Sequence, residues 1–207
     1  MIKPGLQFVP PLGLRNAHAQ SLVSSSPLRR AVAMRRSIAL RAVEQPWVLD
    51  GGDGVRLQGF YSAQPRAAGQ DRLPRGLVVL LHGWEGSVNS SYILTNGARL
   101  YAAGFDVFRL NFRDHGDTHH LNPGIFHSCR LEEVCGAVAG HKQQLSIAAP
   151  WLVGFSLGGN FTLRAAARAC CALMPFFTIL LASVGCSSNQ SESFSLVARC
   201  TRVLISG

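Results

Sequence analysis

The sequence has few lysines and no cysteine spacing typical of a metal or redox site. Lys3 and Lys142 are the only lysines among its 20 basic residues, so the net charge of +9 comes almost entirely from arginine. Prolines interrupt the first twenty residues, which therefore do not form the apolar core of a signal peptide. We expect a cytoplasmic, reducing setting. In that setting the six cysteines, which lack CxxC spacing, are free thiols: Cys129, Cys135, Cys170, Cys171, Cys186 and Cys200.

The composition excludes several classes of protein. Apolar residues make up 47% of the 207 positions and charged residues 15%. A disordered chain combines high net charge with low hydrophobicity, and collagen and coiled coils have other compositions. The sequence therefore predicts a folded chain of one domain or slightly more.

An arginine cluster near the N-terminus has no aromatic residue among its members. Such a basic helix can contact an anionic membrane or nucleic acid, but it is also typical of a solvated helix face, which we favour. Without aromatic side chains there is no platform for base stacking, so we predict no nucleic-acid partner. The cluster places five arginines within thirteen residues: Arg29, Arg30, Arg35, Arg36 and Arg41.

A long uncharged stretch lies between Arg168 and Glu192. Residues 169–186 reach the lower length limit of a membrane span. Pro175 lies near the middle of this stretch and favours a helix end followed by a buried strand over residues 176–182. We therefore expect a break and a strand there, with a membrane span as the alternative.

The remaining pattern divides the chain into three parts. The pattern predicts a basic extension over residues 1–45, with a helix over 27–43. It predicts a core over residues 46–168 and an atypical apolar and serine-rich tail over residues 169–207. The core opens with a β-hairpin signal around Gly51-Gly52-Asp53-Gly54. Continuous apolar strands then alternate with helices, which is typical of a parallel sheet covered on both faces. The predicted fold class is α/β with an antiparallel start, with strands over 76–81, 105–110 and 151–155 and helices over 91–103, 131–148 and 161–169.

The strongest motif is G-x-S-x-G in Gly154-Phe155-Ser156-Leu157-Gly158, between a predicted strand and a predicted helix. Glycines at both flanks let neighbouring backbones pass closely, while the serine hydroxyl projects from a strained turn. The helix N-terminus also places backbone N–H groups where an oxyanion would develop. The motif predicts Ser156 as a nucleophile, with Gly154 and Gly158 as the elbow glycines.

A second motif, His82-Gly83-Trp84, follows the first predicted parallel strand. A tight turn there lets the backbone N–H of Trp84 point into the cleft. Together with the N–H of Leu157 it would form an oxyanion hole with two donors, each contributing about 3 kcal/mol in the transition state.

These motifs together resemble the α/β-hydrolase superfamily, specifically its YheT-like branch of esterases and lipases. The segments HGWEGS and GFSLGGN carry the resemblance, and residues 13–21 and 111–118 are similar to further family segments. The resemblance covers residues 10 to about 168. It implies a serine hydrolase acting on small acyl or lipid esters, with no metal or organic cofactor.

The loop after residue 111 is rich in potential metal ligands. Gly116 interrupts any helix that could bring His115 and His119 onto one face, and the resemblance implies a structural loop at the cleft rim. We therefore predict no metal site in this loop. Its potential ligands are Asp114, His115, Asp117, His119, His120 and His127.

The sequence departs from the family after Ser156. All seven histidines lie upstream of Ser156, and Glu192 is the only acidic residue after it, whereas the family order is nucleophile, acid, histidine. We expect impaired catalysis, a truncated or frame-shifted C-terminal region, and an exposed sheet edge that favours self-association. The alternatives are a genuine divergent tail over 169–207, a non-catalytic remnant that acts through association, or a base among the upstream histidines.

Overall fold

The structure is a computed structural model that describes residues 10–24, 26–65, 73–145, 150–171 and 178–182. Its N-terminal part holds a 3₁₀ turn (Leu12–Leu14) and helices α1 (Ala17–Ser24), α2 (Pro27–Arg36) and α3 (Ile38–Ala42). The single helix predicted over 27–43 is interrupted at Ser37. The hydroxyl of this buried residue donates a hydrogen bond to the Met34 carbonyl at 3.1 Å.

The predicted hairpin is present at the start of the core. Strands β1 (Glu44–Gly52) and β2 (Val55–Ser62) pair in antiparallel register. Asp53 and Gly54 join them with φ values of 52° and 76°. Both residues therefore lie in the left-handed region that a tight two-residue hairpin turn requires.

A parallel sheet follows the hairpin. It contains β3 (Leu77–Leu81), β4 (Asp106–Leu110), β5 (Trp151–Phe155) and β6 (Thr178–Ala182). The connecting helices are α4 (Ser91–Ala102), α5 (Leu131–Leu145) and α6 (Leu157–Cys171). The described sheet has the order β1-β2-β4-β3-β5-β6, and β2 joins β4 in antiparallel register. The predicted fold class, an antiparallel start followed by mainly parallel strands, is confirmed.

Strand β3 is apolar along its whole length, and both of its faces are covered. Leu77, Val79 and Leu81 of β3 pack into one cluster with residues of α5 and α6, such as Val134 and Phe161. The alternate β3 residues pack on the other face, in a cluster with Leu40 of α3 and Ile93 of α4. The basic extension therefore contributes a side chain to the core.

The connections place a crevice at the carboxyl ends of β3 and β5. The chain leaves β3 toward β4 on one side and then returns to β5 on the other side of β3. Ligands of open α/β sheets bind at such a reversal of strand order. The two sequence motifs follow β3 and β5, so both lie at this crevice.

Some sequence-based expectations fall on the C-terminal part of the chain. Strand β6 is the outermost strand on its side of the described sheet and lies within the predicted 176–182 strand. Most of the 169–207 tail lies outside the described residues, so the three-part division, the truncation and self-association through β6 stay predictions. No helix in the described ranges is long and apolar enough to cross a membrane. Cys129 and Cys135 are free thiols; burial raises the pKa of Cys135.

Candidate active site

Ser156 occupies a sharp turn between β5 and α6. Its φ is 53°, in the left-handed region that non-glycine residues rarely adopt. The residue is exposed, and its carbonyl accepts a hydrogen bond from the Asn160 N–H at 3.1 Å as helix α6 begins. Strained backbone of this kind at an exposed hydroxyl is typical of a nucleophile elbow.

The two flanking glycines lie where no side chain fits. A Cβ atom on Gly154 would lie 2.1 Å from the Gly158 carbonyl oxygen. A Cβ atom on Gly158 would lie 2.4 Å from the Leu81 oxygen and 2.5 Å from the His82 oxygen. The strand–turn–helix unit therefore packs backbone to backbone against the end of β3.

The His82-Gly83-Trp84 segment lies directly against Ser156. A Cβ atom on Gly83 would lie 3.3 Å from the Ser156 Cβ and 3.2 Å from the Phe155 oxygen. The Gly83 N–H donates a hydrogen bond to the Tyr92 hydroxyl at 2.9 Å. Sequence analysis did not single out Tyr92, because nothing in its local sequence indicates this contact across nine residues.

The backbone N–H groups of Trp84 and Leu157 have no acceptor among the described residues. Trp84 is the second residue of a turn closed by the Gly86 N–H and the Gly83 carbonyl at 3.1 Å, and such a turn does not use the Trp84 N–H. Leu157 is the first residue of α6, where helical N–H groups lack intrahelical acceptors. Within the described part of the chain, neither N–H donates a hydrogen bond.

His82 is a buried structural residue. Its Nδ1 donates to the Gly83 carbonyl at 2.7 Å, and its Nε2 accepts from the Phe112 N–H at 3.1 Å. Burial is the main cause that lowers the pKa of His82 from 6.5 to about 4. The imidazole is therefore neutral at physiological pH, and both of its nitrogens are occupied, so it holds the loop rather than acting as a base.

We expect His82 to make the fold acid-sensitive. The unfolded chain binds a proton at this residue near pH 6.5, whereas the folded chain does so only near pH 4. Stability contributed by the neutral imidazole is thus complete above pH 6.5 and is lost as the pH falls toward 4. At pH 5 the loss should be about 2 kcal/mol relative to pH 8. Urea unfolding at a series of pH values measures it.

A pair of variants isolates the effect of His82. In His82→Asn the free energy of unfolding should be lower at pH 8, and the part of its pH dependence between 6.5 and 4 should disappear. The exposed His127 provides the matched control, because His127→Asn should retain the wild-type profile. Parallel profiles for His82→Asn and the wild type would contradict the assignment.

The other described histidines lie on or near the loop that follows β4, apart from His18 in α1. Nδ1 of His115 donates to the Arg113 carbonyl at 2.8 Å, and His119 pairs with Asp114. In the described ranges, no histidine nitrogen is hydrogen-bonded to Ser156, and no cluster of three metal-ligating side chains occurs. The side chain of His141 lies outside this description.

Aromatic side chains pack around the turn that contains Trp84. The Trp84 indole is 60% exposed, with ring centroids 5.9 Å from Phe126 and 6.5 Å from His115. Phe112 stacks on Phe126 at 5.3 Å, and the adjacent Ile125 is 73% exposed. Together these side chains form an apolar surface, the crevice wall, that begins at Trp84, one residue after Gly83.

A buried ion pair fixes the aromatic loop to the core. Arg113 donates from Nε and Nη2 to Glu133 Oε2 at 3.0 and 2.8 Å, and from Nη1 to the Pro123 carbonyl at 2.8 Å. Sequence analysis missed this pair, which joins residues twenty positions apart. The arginine thus ties the end of β4 and the loop to α5.

Comparisons with known proteins agree with this architecture. A family model for the alpha/beta hydrolase fold matches residues 76–175. The chain is 28% identical over 154 residues to "Putative esterase YheT" of Escherichia coli (strain K12), covering 74% of this chain and 42% of that protein. It is 27% identical over 164 residues to "Putative esterase slr0264" of Synechocystis sp., covering 76% of this chain and 42% of that protein.

One solved structure provides a comparison of folds. The epoxide hydrolase from an endophytic Streptomyces aligns with a TM-score of 0.50 at 19% identity, covering 67% of this chain and 37% of that chain. The chain spans less than half the length of the curated relatives that it matches. The recognition made from the sequence is confirmed: the chain has the α/β-hydrolase fold and is distantly similar to two proteins named as putative esterases.

Proposed function

We propose that the chain carries the nucleophile and oxyanion hole of a serine hydrolase that cleaves carboxylic esters. The observation that supports this proposal is the left-handed turn at Ser156, at φ 53°, which lies against the Gly83 backbone and is followed by a Leu157 N–H with no described acceptor. The esterase names of the two similar proteins support the same class of reaction.

The chemistry follows from these positions. The Ser156 Oγ attacks the acyl carbon of an ester, and the carbonyl oxygen becomes negatively charged. The N–H groups of Trp84 and Leu157 donate hydrogen bonds to that oxygen, each stabilising the transition state by about 3 kcal/mol. Collapse of the tetrahedral intermediate releases the alcohol and leaves an acyl group on Ser156, which water then removes as the carboxylic acid.

The substrate class follows from the crevice wall. An apolar acyl group next to the reacting carbonyl would contact the exposed indole of Trp84 and the rings behind it. Burial of apolar surface against this wall contributes about 25 cal/mol for each Å² removed from water. We therefore propose small esters with an apolar acyl part as substrates.

Removal of the proton from the Ser156 hydroxyl is the slow step of the proposed reaction. A serine hydroxyl is a poor nucleophile until a base removes its proton, and that base must lie within about 3 Å. His82 is occupied and has a pKa of about 4, and His115 and His119 are engaged with other groups. We propose that the chain acylates slowly, because no histidine nitrogen in the described ranges is hydrogen-bonded to Ser156.

Fluorophosphonate labelling tests both parts of the proposal. The folded chain should be phosphonylated slowly and at Ser156 alone. Intact-mass spectrometry measures the rate, and peptide mass spectrometry identifies the labelled residue. Added imidazole, which acts as a diffusible base, should raise the labelling rate by about tenfold or more. Ser156→Ala should abolish labelling under both conditions, whereas the exposed Ser128→Ala should leave it unchanged.

Two other results would overturn the proposal. Labelling that persists in Ser156→Ala would place the reactive group elsewhere. A folded chain that stays unlabelled even with imidazole would favour a non-catalytic remnant that acts through association, for which the edge position of β6 in the described sheet is the supporting observation. Light scattering would then be expected to show self-association.

A further inference from the structure

The positive charge of the chain is concentrated in its first 43 residues. This segment contains seven basic residues and no Asp or Glu, so it carries most of the net charge of +9. Helix α2 presents four of these residues, all exposed: Arg29, Arg30, Arg35 and Arg36. In the described ranges none of the four forms a salt bridge, whereas Arg41 lies 3.9 Å from Glu44.

Apolar side chains are exposed between these arginines. Leu28 and Val32, four residues apart on the same face of α2, are 74% and 39% exposed, and Ile38 of α3 is 64% exposed. Helix α2 packs against α4 through its other side, where Ala33 is buried. We call the exposed side the basic helix surface; it consists of Leu28, Val32, Ile38, Arg29, Arg35 and Arg36, whereas Arg30 lies on a different side of α2.

We propose that the basic helix surface binds the surface of an anionic lipid bilayer. The arginine pattern alone favours a solvated face, but a solvated face does not account for three exposed aliphatic side chains among the guanidinium groups. An anionic bilayer matches both features, because its headgroups carry negative charge and its interface accepts shallow apolar side chains. The helices would lie in the plane of the interface.

Nucleic acid matches this surface less well. Phosphates would attract the arginines, yet a duplex offers little apolar surface to Leu28, Val32 and Ile38. Residues 10–43 contain no Phe, Trp or Tyr that could stack on an unpaired base. The chemistry of the surface therefore favours lipid, and the binding does not depend on the reactivity of Ser156.

Vesicle flotation with the 207-residue chain tests the proposal. The chain should float with phosphatidylcholine vesicles that contain phosphatidylserine and should stay unbound with phosphatidylcholine alone. Arg35→Gln with Arg36→Gln should lower the partition coefficient roughly 20-fold. The matched control, Arg75→Gln with Arg168→Gln, removes the same charge from exposed positions elsewhere and should change binding less than about threefold.

A second variant separates apolar insertion from simple charge attraction. Leu28→Ser with Val32→Ser should weaken binding by about tenfold or more and should make the remainder fully salt-sensitive. All of these positions are exposed, and unchanged melting curves would verify the fold. Four results would overturn the proposal: no flotation, equal flotation with neutral vesicles, tighter binding to duplex DNA than to anionic vesicles, or a dimer that Leu28→Ser with Val32→Ser dissociates.

Discussion

Replacing Glu133 with alanine is expected to lower the free energy of unfolding by about 3–5 kcal/mol. Glu133 is 5% exposed and is the only described carboxylate bonded to the Arg113 guanidinium, which is 6% exposed. Removing the carboxylate leaves a buried cation without its counter-charge, and water cannot replace the two lost hydrogen bonds without opening the core. Thermal and urea unfolding measure the loss.

The adjacent residue on α5 provides a matched control. Glu132 also pairs with an arginine, Arg168, but both side chains are more than half exposed. An exposed ion pair of this kind contributes about 0–1 kcal/mol to the free energy of unfolding, so Glu132→Ala should leave stability nearly unchanged. Replacing both buried partners, with Arg113→Met and Glu133→Leu, should recover most of the loss. Similar stabilities for Glu132→Ala and Glu133→Ala would contradict this account.

The Glu133 variant should also disturb the candidate site. Arg113 holds the Pro123 carbonyl, and the loop around it carries the Phe126 ring against which Trp84 packs. When the arginine loses its partner, this loop loses its anchor to α5. The crevice wall should therefore loosen before the sheet does, and fluorophosphonate labelling of Glu133→Ala should fall at temperatures where the chain is still folded.

The parts of the site that the sequence predicts are those encoded by neighbouring residues. The run over 76–81 predicts β3 because continuous apolar side chains are typical of a strand that is covered on both faces. The glycines around Ser156 predict the elbow because only glycine fits where a Cβ would lie 2.1 Å from a carbonyl oxygen. The hairpin turn at Asp53 and Gly54 follows from the same local steric rules.

The parts that the sequence does not predict depend on contacts between distant elements. His82 is recognisable as part of a motif, but burial in the fold lowers its pKa, and the partner of its Nε2 is the Phe112 N–H, thirty residues away. The contacts of Tyr92 with Gly83 and of Arg113 with Glu133 are likewise set by how helices dock on the sheet. Ser37, which ends α2, is buried in the fold, and its hydroxyl donates to the Met34 carbonyl.

The surface around the arginine cluster could be predicted only in part from the sequence. Its charge is visible in the sequence, but the side of α2 that remains outside depends on where α2 packs. Ala33 is buried, and the flanking Leu28 and Val32 are not. Because α2 has apolar residues on both sides, its sequence does not determine which side is buried. The apolar part of the basic helix surface is therefore identified only from the structure.

Replacing Gly158 with alanine is expected to destabilise the chain by about 3 kcal/mol and to abolish labelling of Ser156. The added Cβ would lie 2.4 Å from the Leu81 oxygen, 2.5 Å from the His82 oxygen and 2.8 Å from the Leu81 carbonyl carbon. All three are backbone atoms at the end of a central strand, so no rotamer change relieves the contact. Either α6 or the end of β3 must move, and either movement separates Leu157 from Trp84.

The same substitution elsewhere in a helix separates this clash from a general effect of alanine. A Cβ on Gly140 in α5 would meet only the Asp50 oxygen, at 4.0 Å. Gly140→Ala should therefore stabilise the chain slightly, by about 0.5–1 kcal/mol, because alanine favours helix. We expect Gly158→Ala to melt about 6–12 °C below the wild type. Wild-type melting and labelling in Gly158→Ala would show that β3 and α6 do not depend on this close approach, and the proposed oxyanion hole would lose its structural basis.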